Sequence, residues 1–214
     1  MGVTTKVNIS GKAVEPRRRP RQQRGEDTID RILEASAELL EELGFDRLNT
    51  NLICKQAGLT PPALYRYFPN KYAVLKALGE RLMRVQNDAL YDTLDGIGIL
   101  PTAQNIADQL RGQYDVTMAQ KGGPWIMRAL HATPQLANVR RSSHSEMVKR
   151  FVDLRVNETP GTNVQEIERR YQIIVETGYA VLEMLIDNPD MDIDATLKDT
   201  GFMLFALLDS GSPI

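Results

Sequence analysis

The residues best suited to chemistry in this chain are basic side chains near the N-terminus, where they would attract a polyanion. Residues 1–75 contain 12 basic and 9 acidic side chains, whereas residues 76–214 contain 14 and 19. A local excess of positive charge binds nucleic acid through a strongly salt-dependent attraction. The alternative is a solvated arm that has no partner. The basic side chains are densest at Arg17, Arg18, Arg19, Arg21 and Arg24.

A second group of candidate residues surrounds the turn Gly58-Leu59-Thr60, which joins two short predicted helices. The earlier of these two short helices is predicted over residues 50–57. The second, over residues 61–67, has a threonine in the N-cap position and a proline at its first position, and Pro69 prevents its continuation. Two short helices joined by such a turn form a helix-turn-helix. The exposed N-terminal end of the second helix can enter the major groove of DNA.

The helices that must position this segment are predicted from apolar periodicity. An apolar face between Thr28 and Leu43 predicts a first helix of about 16 residues, ended by Gly44 in a left-handed conformation. Asn70 is expected to cap a fourth helix that runs towards Leu94. Further helices are expected near residues 102–120, 124–132, 135–157, 163–187 and 193–209. Because no segment shows sustained β-alternation, the predicted fold class is all-α.

Side chains that could catalyse a reaction or bind a metal are few and poorly arranged. The two histidines, His131 and His144, lack metal-ligand spacing, and Cys54 is the single cysteine. The run Ser142-Ser143-His144-Ser145 stands in no nucleophile elbow, and the chain has no phosphate-binding loop. We therefore expect no enzyme, no metal and no cofactor. Cys54 is expected to pack as a small apolar side chain rather than to act as a redox sensor.

Residues 27–75 resemble the DNA-binding region of the TetR/AcrR family of transcriptional regulators. The sequence departs from the family pattern at Cys54, where alanine is usual, and at Ala63, where a small polar residue often contacts DNA. The resemblance implies a flexible basic arm (1–25), a three-helix, homeodomain-like helix-turn-helix domain (26–72) and a helical ligand-binding and dimerisation domain (73–214). The matching features occur in order between residues 44 and 71: Gly44-Phe45, Thr50, Ala57-Gly58-Leu59, Leu64-Tyr65, Tyr67-Phe68 and Lys71.

The resemblance also predicts DNA contacts in and beside the helix-turn-helix. Hydroxyl groups and backbone amides at helix N-termini, together with Lys71, would meet phosphates, whereas the start of the second helix would face base edges. Arg66 is best suited to bidentate readout of guanine. The alternatives are a core aromatic at Tyr65 and solvated charges at Arg66 and Lys71. The ten predicted contact residues are Thr50, Asn51, Thr60, Pro61, Pro62, Ala63, Tyr65, Arg66, Tyr67 and Lys71.

The remaining helices are expected to provide a dimer interface and a ligand site. One short recognition helix touches few base pairs, so a dyad-related second copy is needed, and in the family the last two helices form that interface. Gly178, Ala180 and Gly201 would permit close approach of these helices. For any single ligand-site candidate, plain core packing is the simpler interpretation. The large, adaptable side chains that would line the cavity are Tyr91, Tyr114, Met118, Trp125, Met127, His131, Met147 and Phe151.

The expected function is therefore a homodimeric repressor, released from operator DNA by a small apolar or amphipathic effector. The alternative is a DNA-binding regulator or adaptor without such an effector. Deleting residues 1–24 is expected to weaken DNA binding without changing site preference. Because the chain shows neither a membrane-spanning apolar run nor a signal-peptide pattern, a cytoplasmic location is expected, with no membrane partner.

Overall fold

The protein is all-helical over the residues that the computed structural model describes, which are 23–94, 101–159, 161 and 163–209. This confirms the predicted fold class. Helix positions agree with the predictions to within a few residues, except at the start of the first helix. A short 3-10 turn at Pro134–Leu136 precedes the seventh helix. The helices are α1 (Gln23–Arg47), α2 (Thr50–Gln56), α3 (Pro61–Tyr65), α4 (Lys71–Leu94), α5 (Ala103–Ala119), α6 (Gly123–Ala132), α7 (Ala137–Glu158), α8 (Val164–Asp187) and α9 (Ile193–Asp209).

Helix α1 begins five residues before the predicted start at Thr28, so the last residues of the predicted arm, 23–25, are helical. Glu26 in the first turn favours this extension, because a negative charge interacts well with the positive end of the helix dipole. Gly44 interrupts the helix with a φ of 72°, where its end was predicted. The rest of the predicted basic arm, residues 1–22, lies outside the described residues, as do residues 95–100 between α4 and α5.

A continuous hydrophobic core joins the N-terminal helices to the C-terminal helices. Ile32 and Leu40 of α1 are completely buried, and Leu64 of α3 and Phe68 contribute to the same core. Helix α4 carries this core from the helix-turn-helix into the C-terminal helices through residues such as Leu75. The predicted boundary between residues 72 and 73 therefore falls near the start of a helix that both regions share.

The turn between α5 and α6 packs directly against α1. Gly122 has a φ of 67°, and a Cβ atom at this position would lie 2.7 Å from the carbonyl oxygen of Ala37. Beside this contact, Lys121 Nζ lies 2.7 Å from a Glu38 carboxylate oxygen, and the Gln56 amide donates to the other oxygen at 2.8 Å. The bond from Lys121 lowers the pKa of Glu38, and the bond from Gln56 adds to this effect. One carboxylate of α1 therefore links α2 to the α5–α6 turn.

Helices α8 and α9 both pack closely against α5. A Cβ atom on Gly201 would lie 2.4 Å from the carbonyl oxygen of Ala103, and one on Gly178 would lie 3.0 Å from Leu110. As expected, both glycines permit close helix approach, here to α5 within the same chain. Among the described helices, none combines the length and apolar character needed to cross a membrane.

Candidate nucleic-acid interface

Helices α2 and α3 form a helix-turn-helix whose ends are fixed by local hydrogen bonds. The side-chain oxygen of Asn49 caps α2 by accepting from the backbone amides of Asn51 and Leu52, at 3.1 and 3.0 Å. At the other end, the Arg31 guanidinium of α1 donates to the carbonyl oxygen of Ala57. Gly58 follows with a φ of 61°, a conformation that a side chain would disfavour. Sequence reasoning missed Asn49, although asparagine before a helix is a strong N-cap signal.

The N-terminal end of α3 is exposed, whereas two residues at and beyond its C-terminal end are buried. Leu64 and Phe68 are almost completely buried in the core, whereas Pro61 and Pro62 are exposed. Thr60 occupies the N-cap position with extended backbone, as predicted, but its side chain makes no capping hydrogen bond. The polar groups at this helix end therefore face the surface, and the geometry suits the predicted approach to a nucleic-acid groove.

The two helices are also tied together at the surface by a hydroxyl pair. Thr50 Oγ1 and Tyr65 Oη lie 3.0 Å apart and share a hydrogen bond. Tyr65 is more than a third exposed, so it is not the core aromatic considered as an alternative. Arg66 is exposed, and its guanidinium carbon lies 5.9 Å from the ring centroid of Tyr67. Asn51 is exposed, while Ala63 and Tyr67 are half-buried.

Lys71 has local partners, so it is not simply a solvated charge. Its Nζ donates to the carbonyl oxygen of Phe45 at 3.4 Å and lies 4.5 Å from the centroid of the Phe45 ring. It also lies 5.7 Å from the ring centroid of Tyr72. Lys71 therefore helps to join the start of α4 to the end of α1. Its side chain remains partly exposed beside the helix-turn-helix.

The charge of this region is uniformly positive or neutral. No aspartate or glutamate occurs between Asp46 and Glu80, whereas Lys55, Arg66 and Lys71 all fall in that interval. The absence of carboxylates over the whole helix-turn-helix removes repulsion against phosphate. This interval without carboxylates can be read directly from the sequence. Lys55 and Gln56, which are exposed on α2, were also missed.

Cys54 is buried in the core beneath α2, and desolvation raises the pKa of its thiol. A thiolate is the reactive form of cysteine, so this environment makes the side chain unreactive. The prediction that Cys54 packs as a small apolar residue agrees with its position.

The predicted ligand-site residues are scattered across the C-terminal helices. Met118 is 48% exposed, and the side chain of His131 is 63% exposed, with its Nδ1 atom 2.9 Å from a Glu183 carboxylate oxygen. Trp125 packs against Gly44 and lies under the Arg128 guanidinium, 4.9 Å from its ring centroid. These three do not meet in one cavity, because their helical positions face the surface or α1.

The other ligand-site candidates lie nearer the interior. Met127 and Met147 are buried, and Tyr91 and Tyr114 are half-buried at the edge of the core. Phe151 stacks against Tyr171 with ring centroids 5.3 Å apart. Of the predicted residues, Tyr91 lines a groove between α4 and α7.

Sequence reasoning missed a buried polar cluster inside the C-terminal helices. Gln86 of α4 donates to the hydroxyl of Thr117 at 2.5 Å and accepts from the hydroxyl of Tyr179 at 3.3 Å. The ring of Tyr179 stacks on His144, with centroids 4.2 Å apart. The available signal was the position of Gln86 and Asn87 within the otherwise apolar stripe of α4.

His144 is held at the edge of this cluster by Glu176. Its Nδ1 atom lies 3.0 Å from one Glu176 oxygen, and Arg140 donates to the other oxygen at 2.9 Å. Burial lowers the pKa of His144, although the bond to Glu176 opposes this shift. Burial alone would raise the pKa of Glu176, but the bonds from His144 and Arg140 together lower it. The pair is therefore a neutral imidazole beside an ionised carboxylate at neutral pH.

Part of this chain is similar in sequence to known regulatory proteins. Residues 32–78 match the family of bacterial regulatory proteins called the tetR family. The class A tetracycline repressor from Escherichia coli transposon 1721 is 40% identical over 52 residues, which cover 24% of this chain and 24% of that protein. The first curated relatives are matched over about a third of their length, or 35%. These sequence matches therefore cover a minor part of this chain and of each relative.

The fold of most of the chain has relatives among solved structures. A TetR-family regulator from Syntrophomonas wolfei has a TM-score of 0.69 at 13% identity, covering 88% of this chain and 98% of that one. The regulator RolR, solved with resorcinol, has a TM-score of 0.58 at 17% identity, covering 90% and 98%. Residues 32–78 therefore match the tetR family in sequence, and the described helices share the fold of solved regulators of that family.

Proposed function

We propose that the chain is a sequence-specific DNA-binding repressor that acts as a homodimer and is released from its operator by a small molecule. The observation that carries the proposal is the exposed N-terminal end of α3, which stands in a stretch without any carboxylate between residues 47 and 79. A helix end of this kind favours phosphate and presents side chains to a groove.

Base contacts and phosphate contacts would be made by different residues of the helix-turn-helix. Arg66 is exposed and has the geometry to bond guanine, while Pro61, Pro62 and Ala63 would pack against base edges. The remaining predicted contacts would bind phosphate and set the register of α3. They are Thr50, Asn51, Thr60, Tyr65, Tyr67 and Lys71.

A second copy of the chain would pair through the outer faces of α8 and α9. Phe202 and Met203 of α9 are 57% and 53% exposed, which is unusual for such large apolar side chains. On α8, Ile173 and Met184 are also exposed, and Ala180 lies between them at helical spacing on the same face. Burial of these faces would be favourable and would place two copies of α3 on one DNA duplex.

Release by a ligand would use the contacts that connect the two regions. Helix α4 belongs to both, and the α5–α6 turn packs on α1 through Gly122 and the Lys121–Glu38 pair. An effector bound among the C-terminal helices can shift the equilibrium only by its different affinity for the two states. An apolar or amphipathic small molecule suits the mixture of methionine, tyrosine and polar side chains there. The fold relative that was solved with resorcinol supports a site of this general kind.

The test is selection of binding sites from a random DNA library, followed by affinity measurements over a range of salt concentrations. We expect a palindromic consensus with two half-sites one helical turn apart or a multiple of it, and an affinity that falls steeply with salt. A flat selection profile would instead favour the adaptor alternative. Loss of operator affinity on adding cellular small molecules tests the release step separately.

A further inference from the structure

Helix α6 and the turn before it touch α1 at two separate points. Gly122 lies against the backbone of Ala37, because a Cβ atom on this glycine would come within 2.7 Å of the Ala37 carbonyl oxygen. Further along α6, the ring of Trp125 lies against Gly44, where a Cβ atom would be 3.4 Å from the ring. Along a helix, Ala37 and Gly44 are separated by about 10 Å. Two contacts at this separation restrict rotation of α1 against α6.

The second of these points lies close to the helix-turn-helix. Gly44 has a φ of 72° and interrupts α1 there. The carbonyl oxygen of the next residue, Phe45, accepts a hydrogen bond from Lys71 at the start of α4, and the Lys71 ammonium lies 4.5 Å from the centroid of the Phe45 ring. Trp125 therefore contacts α1 where that helix is joined to α4, shortly before the chain enters α2.

Helix α6 is also bonded to the C-terminal end of α8. The Arg128 guanidinium donates to the Asp187 carboxylate at 2.7 Å and to the carbonyl oxygen of Ile186 at 3.2 Å. A cation that bonds the last carbonyl groups of a helix also interacts favourably with the helix dipole. One turn further along α6, His131 Nδ1 lies 2.9 Å from an oxygen of Glu183, which is one turn earlier on α8. Helix α6 therefore meets the last turns of α8 in a definite register.

Arg128 and Trp125 connect these two attachments to each other. The guanidinium carbon of Arg128 lies 4.9 Å from the centroid of the Trp125 ring, so the cation is attracted by the electrons of the indole. The planar guanidinium bonds its two acceptors in fixed directions, and the ring restricts it further. A continuous series of contacts therefore runs from the end of α8, through Arg128 and Trp125, to Gly44 of α1.

We propose that Arg128 and Trp125 are positioning residues for operator binding, which fix how each helix-turn-helix is held relative to α8 of its own subunit. The inference rests on the proposed function, because α8 would lie in the dimer interface. In such a dimer, this link determines the distance and angle between the two copies of α3. A rigid link gives high affinity at one spacing of the half-sites, whereas a loose link lowers this affinity and tolerates other spacings.

An ion pair that served only stability would behave differently. Arg128 is partly exposed and Asp187 is exposed, and such pairs contribute little to the free energy of unfolding. The distinguishing measurement is therefore the preferred spacing of the half-sites. The control is Arg111→Leu, since the Arg111 side chain is 42% exposed against 38% for Arg128. Arg111 pairs with Asp115 of α5 and Asp194 of α9, so it lies outside the link.

The experiment measures the affinity of the whole chain for the selected operator, for operators with one base pair added or removed between the half-sites, and for a single half-site. Arg128→Leu should bind the selected operator about tenfold more weakly and a single half-site equally well. The loss of affinity on changing the spacing should be about tenfold smaller than in the wild type. Arg128→Lys keeps the charge without the planar fork, so it should recover part of both properties. Arg111→Leu should match the wild type.

Asp187→Asn tests the other end of the link without a change in α6. It should alter the spacing preference in the same direction but less strongly, because the bond from Arg128 to the Ile186 carbonyl remains. Light scattering should show that both variants remain dimers. An unchanged spacing preference in Arg128→Leu would overturn the inference. A monomeric Arg128→Leu, or an equal loss of affinity for the operator and the single half-site, would overturn it as well.

Fluorescence separates this inference from the proposed function. Trp125 is the only tryptophan in the chain, so the emission of the DNA-free protein reports on the link. Arg128→Leu should shift the emission maximum and Arg111→Leu should not, because only the first removes a cation from the ring. A wild type without any preferred spacing would overturn the proposed function and the positioning role together. A wild type with a preferred spacing, combined with an unshifted emission in Arg128→Leu, would overturn this inference alone.

Discussion

The N-terminal and C-terminal regions of this protein place their polar groups in opposite ways. Around α3, the polar side chains stand at the surface and the buried positions, such as Leu64 and Phe68, are apolar. Among α4, α7 and α8, hydrogen-bonding groups such as Gln86, Tyr179 and His144 are buried. Surface groups can be exchanged at little cost to folding, whereas buried ones contribute to stability only when they are paired. The surface around α3 can therefore vary its side chains at little cost to folding, whereas the polar groups of the C-terminal interior must stay paired.

The largest expected effect is on operator affinity. It comes from disrupting the proposed dimer, in which the C-terminal helices of two copies would position their N-terminal regions on DNA. Replacing Phe202 and Met203 by aspartate should prevent pairing of α9, so that operator affinity falls by about a thousandfold, or roughly 4 kcal/mol. Light scattering should show a monomer and titration with labelled operator should show the loss. Lys198→Glu, at an exposed position of the same helix, is the control and should remain dimeric. A dimer that survives the double substitution would place the interface elsewhere.

The next effect concerns the buried polar groups. Gln86→Leu removes the acceptor of the Tyr179 hydroxyl and a donor to Thr117, so the free energy of unfolding should fall by about 3 kcal/mol. Chemical denaturation measures this change. Gln56→Leu, at an exposed position on α2, should cost much less, roughly 0.5 kcal/mol. If the two variants were equally stable, the contrast between the regions would be wrong.

The third effect concerns recognition at α3. Arg66→Ala should lose roughly 2 kcal/mol of discrimination at one base pair of each half-site, with folding stability unchanged because Arg66 is exposed. Parallel binding measurements on operators substituted at each position would locate that base pair. Lys55→Ala serves as the comparison. It should weaken binding to all operators to a similar extent, because a phosphate contact carries no sequence information.

The smallest effect is a dependence of stability on pH. Because burial lowers the pKa of His144 in the folded state, the unfolded chain binds this proton first as the pH falls. Stability should therefore decrease from about pH 6.5 downwards, until the folded-state pKa is passed. The lowered pKa of Glu176 adds a further loss below about pH 4.5, in the same direction.

Thermal unfolding from pH 7 to pH 5 measures this dependence in the wild type and in His144→Gln. The variant should show a smaller loss over this interval because its side chain does not titrate. An identical pH profile in both proteins would show that His144 does not control this part of the curve. His131→Gln provides the control, since that side chain is largely exposed.

The helices and the turns around the candidate nucleic-acid interface could be predicted from the sequence, because local signals determine them. Asn70 caps α4 as expected, with its side-chain oxygen accepting from the amides of Tyr72 and Ala73. Gly44 within α1 and Gly58 after α2 have positive φ angles, in agreement with the turn signals. The local partners of Lys71 were not predictable, since Phe45 is 26 positions away in the sequence.

The interior of the C-terminal region could not be predicted in the same way. Which of several methionines and aromatic residues face each other depends on how five helices cross, and periodicity gives only the face of each helix. Met118 and His131 satisfied the criterion of size but lie at the surface. Gln86 and Tyr179 are 93 positions apart, so their hydrogen bond appears only in the folded structure.

The contact between Gly122 and the carbonyl oxygen of Ala37 has a mechanical consequence. The C-terminal helices already touch the backbone of α1 at this point, where even a methyl group would not fit. A movement that presses the α5–α6 turn closer to α1 is therefore resisted by steep atomic repulsion. Separation or sliding of the two segments has no such barrier. A displacement of the α5–α6 turn can only loosen or shear its hold on α1. The Glu38 carboxylate would carry part of any such displacement to Gln56 at the end of α2.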